Sequence, residues 1–303
     1  MIAPFLLPLL HASVAPNTPF LAAWSFDPLI TVGLLLLAFG YGLALYQLRQ
    51  RGRRPMPVWQ PISFYAGWLT LVVALLGPLD SFNDELFSMH MLQHLALMQI
   101  AAPLILLGRP VQLILRALSP GSSKAVARFI GGRGAVRGLL TILAAPAVAT
   151  ILFNLNMVIW HVPNFYDAAL SSDGVHALEH SLFLGLAFLF WWPIIDPVPR
   201  HHRAHPAWAL GAVFASMVVG MGLGAILTLS HSIIYPSYLS TPKPWGLSPL
   251  DDQQIGGLSM WVGGGLLYMG ILVAILIRTF GTGDESDVVI AEPAQPSRAS
   301  EPA

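Results

Sequence analysis

The sequence predicts an all-α membrane protein, a seven-transmembrane-helix bundle with its N-terminus outside and its C-terminus cytoplasmic. Three observations carry that prediction. The chain is 55% hydrophobic and 10% charged, with a mean hydropathy of +0.66, so its solvent is largely lipid. Seven apolar runs of about 20 residues recur along its 303 residues, each able to cross ~30 Å of hydrocarbon at ~1.5 Å per residue. Fourteen of the fifteen Lys and Arg residues fall in alternate connections, and cationic connections stay on the cytoplasmic side.

Residues 1–15 are short and apolar, and Ser13-Val14-Ala15 has small residues at signal-peptidase spacing. The segment lacks a positive n-region, so residues 1–27 are expected to be an outer, interface-lying leader. The transmembrane domain is expected over 28–280, with spans near 28–48, 61–79, 89–108, 139–160, 175–195, 208–230 and 255–277. The first connection carries Arg49, Arg51, Arg53 and Arg54; the third carries Arg109, Arg116, Lys124, Arg128, Arg133 and Arg137. Arg200 and Arg203 follow in the fifth, and Arg278 and Arg298 lie in the tail. Lys243 alone lies on the other side. Residues 281–303, rich in Ser, Pro, Ala and acidic residues, are expected to be disordered.

Gly263-Gly264-Gly265 and Gly220, Gly222 and Gly224 are expected close-approach points between helices. The glycines at 131–134 follow no strand, so they do not form a phosphate loop. With zero net charge and basic residues beside the spans, nucleic acid is not an expected partner; the lipid bilayer is. The absence of cysteine excludes disulfides, thiolate metal sites and thiol redox chemistry.

With this topology, His90, His94, His161, His176, His180 and His231 all lie at outer helix ends. His90, His94 and Met98 follow an i, i+4, i+8 path on one face of the third span. The fifth span opens His176-Ala177-Leu178-Glu179-His180, a second histidine pair with a carboxylate. The fourth span contributes Asn154, Met157 and His161, and the sixth Met217, Met221 and Thr228 toward His231. Polar groups in spans are costly and turn inward. A lone interfacial His usually caps a helix, and methionines at helical spacing usually pack. Two His-x-x-x-His pairs on one side of the bilayer are harder to explain that way, and they point to a metal.

Imidazole with thioether and no thiolate favours copper, although His and Glu also suit zinc. The string His176-x-x-Glu179-His180 matches the inverted zinc-protease pattern, but no third ligand is identifiable, and no enzymatic activity is expected. A b-type haem between facing histidines is a further alternative, with Ala96 and Gly185 as small residues beside the ring. Asp80, Asp84 and Glu85 read as a solvated acidic turn, and Asp251 and Asp252 first as N-caps of the seventh span and second as contributors to the outer site. Trp160, Tyr166, Tyr235, Tyr238 and Trp245 read as an interfacial aromatic belt. The histidines of 201–205 read as a juxtamembrane loop. Nearly all-apolar inner span halves argue against a permeation path.

At these residues the chain resembles the multi-pass CtaG family of assembly proteins for caa(3)-type cytochrome c oxidase. The similar segments are PLDSFNDELFSMHMLQHLALMQIAAPLILLGRP (78–110), WHVPNFYDAAL (160–170), HALEHSLFLGLAFLFWWPIIDP (176–197), IIYPSYL (233–239) and DDQQIGGLSMW (251–261). The resemblance implies a multi-pass protein of the bacterial plasma (inner) membrane that helps build a haem–copper oxidase, with oxidase subunits and periplasmic copper chaperones as partners. It implies His90, His94, His161, His176 and His180 as the site. The combined expectation is copper held by His90, His94, His176 and His180, with His161, Met91, Met98, Glu179 and His231 contributing. A metal-free scaffold for oxidase assembly is the alternative.

Overall fold

The computed structural model describes residues 18–54, 56–119, 121–122, 138, 142–143, 145–195, 205–240 and 244–280. Residues 1–17 of the expected leader, the tail 281–303, the glycines 131–134 and residues 201–204 lie outside the described residues, as do Lys124, Arg128, Arg133, Arg137, Arg200, Arg203 and Lys243.

The described elements are helices. In chain order they are α1 (Pro28–Gln50), α2 (Trp59–Leu75), α3 (Pro78–Ser81), α4 (Phe87–Leu95), α5 (Ala102–Leu107), α6 (Pro110–Ala117), α7 (Pro146–Trp160), α8 (Pro163–Leu170), α9 (Asp173–Ile195), α10 (Pro206–Leu229), α11 (Pro249–Leu258) and α12 (Gly265–Phe280). Seven of these begin on proline. Proline suits that position because its missing N–H would have no intrahelical partner and its φ is already helical.

Six helical stretches are long and apolar enough to cross a membrane: Pro28–Gln50, Trp59–Ser81, Phe87–Ala117, Asp173–Ile195, Pro206–Leu229 and Pro249–Phe280. A seventh exists if α7 and α8 count as one span, for they bend by 76° at the break between them. The fourth span expected over 139–160 ends where α7 ends, at Trp160, and the bend with α8 follows that end. Val162 is extended (φ −71°, ψ 126°), as a residue before proline prefers, and Pro163 opens the next helix. The seventh span also starts earlier than expected, at Pro249 rather than 255.

The third span is the centre of the bundle. It is 78% buried, against 17% for the first, whose Leu29, Leu35, Leu36 and Phe39 point outward. Between α4 and α5 the chain winds as a π-helix over Ala96–Ala101. Pro103 explains the irregularity, because it has no N–H for a carbonyl four residues back and its ring crowds that carbonyl. Trp191 of α9 donates its indole N–H to the Met98 carbonyl in this stretch at 2.8 Å. A second π-helix, Ser259–Gly264, separates α11 from α12.

Of the expected close-approach glycines, Gly224 is the tightest. A Cβ there would stand 2.7 Å from the Gly257 carbonyl oxygen and from the Trp261 nitrogen. α10 and α11 therefore cross backbone to backbone. Gly222 and Gly263 have no atoms that close, and the packing explanation does not apply to them.

Candidate metal centre

The first turns of α4 and α9 set the site. Residues four apart share a helix face, so α4 presents His90 and His94 while α9 presents His176, Glu179 and His180. His90, His94, His176 and Glu179 are buried, Glu179 completely so. The two faces meet. Ring centroids lie 4.4 Å apart for His90–His94, 4.2 Å for His176–His180, 5.3 Å for His90–His176 and 5.2 Å for His94–His180. One Glu179 oxygen stands 3.6 Å from His90 Nε2, and the other 3.6 Å from His94 Nε2.

Ligand atoms of His90, His176, Glu179 and His180 all fall within 4.8 Å of one another. A tetrahedral ion with bonds of ~2.0–2.1 Å needs ligand atoms ~3.3 Å apart, so small side-chain rotations close the gap. Neither ring nitrogen of His90 or His94 has a hydrogen-bond partner among protein groups. Buried polar atoms normally find one, and a buried carboxylate needs a positive partner to offset its desolvation. The donor set therefore fits a cation.

The walls of the site come from distant parts of the chain. Gln93, between the two α4 histidines, donates to the Ala74 carbonyl (2.7 Å) and to Asp80 Oδ1 (3.1 Å), and it accepts from Asn83 Nδ2 (3.1 Å). Ser25 donates to Asp80 Oδ2 at 2.6 Å. Asp80 and Glu85 are buried, which corrects the expected solvated acidic turn: Asp80 braces the third span through Gln93. Asp252 is buried too, and it accepts from the backbone amides of Phe87 (2.7 Å) and Ser88 (3.1 Å). It caps α4 rather than its own helix, contrary to expectation. Ser248 caps α11, accepting from the Asp251 amide at 3.1 Å.

Tyr166, Tyr235 and Tyr238 are not an interfacial belt. All three are buried over the histidines, with the Tyr166 ring centroid 5.1 Å from that of His90. The Tyr166 and Tyr238 hydroxyls lie 2.9 Å apart, Tyr238 donates to the Asn83 carbonyl at 2.9 Å, and Tyr235 donates to the His161 carbonyl at 2.9 Å. Burial raises the Tyr235 and Tyr238 phenols above their ordinary range, which keeps them neutral donors. Trp160 is also buried, while Trp245 is exposed.

The family model described as cytochrome c oxidase caa3 assembly factor (Caa3_CtaG) matches residues 39–281. The chain belongs to this family. Two uncharacterized proteins, one of Mycobacterium bovis and one of Mycobacterium tuberculosis, are each 30% identical over 268 residues, 85% of this chain and 39% of their own length. An uncharacterized protein of Mycobacterium leprae is 29% identical over 271 residues, 86% of this chain and 40% of its own. The chain thus spans about two fifths of the length of these relatives. No solved structure matches it significantly.

Of the other residues expected at the site, Met91 and Met98 are buried beside His94 and line a small cavity that His161 also lines. His161 closes α7 at the break, with its Nδ1 2.6 Å from the Met157 carbonyl. His231 sits apart, exposed in the bend after α10. Asn154 bonds Ser216 of α10 at 2.9 Å, and Thr228 bonds the Gly224 carbonyl of its own helix at 2.8 Å. His205 caps α10, accepting from the Ala207 amide at 3.3 Å. Sequence reasoning missed Asn83 and Met260 and gave Gln93 no structural role at the site, while Asp252 was read only second as a contributor to it. The Asp-Gln string at 251–254, polar inside an apolar span, was the one available signal.

Proposed function

We propose that this family member is a membrane-embedded, non-enzymatic assembly factor that holds copper transiently at the His/Glu cluster and delivers it to a haem–copper oxidase. Copper is cargo here, not a resident cofactor. The observation that carries the reading is the buried convergence of His90, His94, His176 and His180 on Glu179, with the ring nitrogens of His90 and His94 making no hydrogen bond to a protein group. The family description supplies oxidase assembly as the context, and copper is a metal such an oxidase requires. Alternation of basic connections supports placing the cluster at the outer face of a bacterial plasma membrane, with the C-terminus cytoplasmic. Oxidase subunits, and an outer copper donor, are the proposed partners.

Imidazole and carboxylate ligands from two separate helices exchange metal more readily than a closed thiolate cage, as delivery requires. The histidine rings touch one another directly, so no slot for a porphyrin lies between them, which disfavours haem. Glu179 is buried against two imidazoles rather than poised beside an open water position, which disfavours hydrolysis.

A strain carrying His90→Ala and His94→Ala tests the reading. Its oxidase is expected to lose copper and activity while the variant still inserts normally. Normal oxidase copper in that strain, together with metal-free purified wild-type protein, would leave the scaffold reading in its place.

A further inference from the structure

Beyond the His/Glu cluster, α4 and the π-helix that follows enclose a second chamber with α7, α10 and α12. Met91, Met98, Met157, Met217, Met221 and Met260 line it, with His94 and His161 on its wall. Its centre volume is about 10 Å³, room for a single water-sized occupant. Methionines commonly fill core gaps, but three observations distinguish these.

First, the chamber lies where the bundle gives up regular helix. Met98 belongs to one π-helix and Met260 to the other, and such distortions concentrate at functional sites. Second, glycines stand opposite sulfur. A Cβ on Gly265 would meet Met221 Sδ at 3.3 Å, and one on Gly220 would meet Met157 Sδ at 3.9 Å. Third, His161 is presented as a ligand. Its Nδ1 faces the Met157 carbonyl at 2.6 Å; a carbonyl only accepts, so the ring proton sits on Nδ1 and the lone pair on Nε2. That Nε2 is buried without a hydrogen-bond partner, on a side chain only 9% exposed. Fixing the tautomer through the far nitrogen is how metal-binding histidines are oriented.

From these observations we infer that the methionine chamber is a second metal site, selective for a soft monovalent cation. It takes Cu(I) through thioether sulfur and His161 Nε2, and His94 joins it to the His/Glu cluster. Thioethers bind Cu(I) well and bind Zn(II) poorly, so the two sites differ in what they accept. Transfer between them is ligand exchange at constant oxidation state. The inference builds on the copper reading above but uses a different set of ligands.

The test uses the full chain purified in detergent under anaerobic reducing conditions. It is loaded with Cu(I) or with Zn(II), and metal stoichiometry and X-ray absorption are read. Wild-type protein is expected to show sulfur neighbours around Cu(I) but none around Zn(II). A Met217→Leu, Met221→Leu, Met260→Leu variant, nearly unchanged in side-chain volume, should show fewer sulfur neighbours and hold Cu(I) more weakly while still taking Zn(II). Cu(I) bound by wild-type protein with nitrogen and oxygen neighbours only would overturn the chamber and leave the His/Glu site standing. Sulfur-bound Cu(I) that persists in a His90→Ala, His176→Ala, His180→Ala variant, with no Zn(II) taken by wild type, would do the reverse. Sulfur coordination unchanged in the triple leucine variant would also refute the assignment.

Discussion

Asp252 accepts the backbone amide hydrogen of Phe87 at 2.7 Å, across 165 residues of sequence. It also takes the Ser88 amide at 3.1 Å, so one buried carboxylate satisfies two of the open donors at the start of α4. A negative group at a helix N-terminus is also favoured by the helix dipole. His90 follows three residues after Phe87, so the orientation of the histidine-bearing turn depends on this long-range cap.

Asp252→Asn retains the shape but loses the charge and one acceptor. It is expected to cost about 1.5–3 kcal/mol and to lower the thermal midpoint in detergent. Metal retention at the His/Glu cluster should fall with it. A variant with the wild-type midpoint and metal content would show that the cap does not position the site.

Glu179→Gln keeps the size of the side chain and removes its charge. Because the carboxylate oxygens face His90 and His94 at 3.6 Å each, affinity for Zn(II) or Cu(II) should drop about 10–100-fold. Competition against a chelator measures it. Unchanged affinity would place Glu179 outside the coordination.

Tyr238→Phe deletes the hydroxyl that meets both Tyr166 and the Asn83 carbonyl. Leaving those buried groups unpaired costs about 1–3 kcal/mol, enough to loosen the cover over His90. Histidine modification by diethyl pyrocarbonate should then be faster than in wild type. Equal rates would mean the tyrosines do not control access.

Gly224→Ala would place a methyl 2.7 Å from the Gly257 carbonyl oxygen and the Trp261 nitrogen, both backbone atoms with little freedom to retreat. Overpacking of this kind costs about 1–3 kcal/mol. The Gly222→Ala control, which meets nothing within 4 Å, should leave the thermal midpoint unchanged. Similar behaviour of the two variants would contradict a backbone crossing at Gly224.

Much of the arrangement around α4 and α9 was legible in the sequence. Histidines four apart must share a face on a helix of either span, and Glu179 must share it with His176 and His180. The break before Pro163 was visible in the WHVP string but was read as the end of a span rather than as a bend. Asp80 and Asp252 were misread because their partners are remote: charge near a loop implies water unless another segment is known to cover it. The tyrosines were misread for the same reason, since an amphipathic ring suits a membrane interface and a buried hydroxyl network equally well.

Local periodicity and the partition of apolar and charged residues determined that this chain makes long apolar helices with histidine pairs near their ends, because those rules act within a few residues. Which helix faces meet is a matter of rotation and tilt, and only the tertiary structure decided it. Close backbone approach at Gly224, the two π-helical stretches and the reach of Asp252 to α4 set those angles. They also decide that six methionines drawn from α4, α7, α10 and the two π-helical stretches line one chamber instead of filling separate gaps.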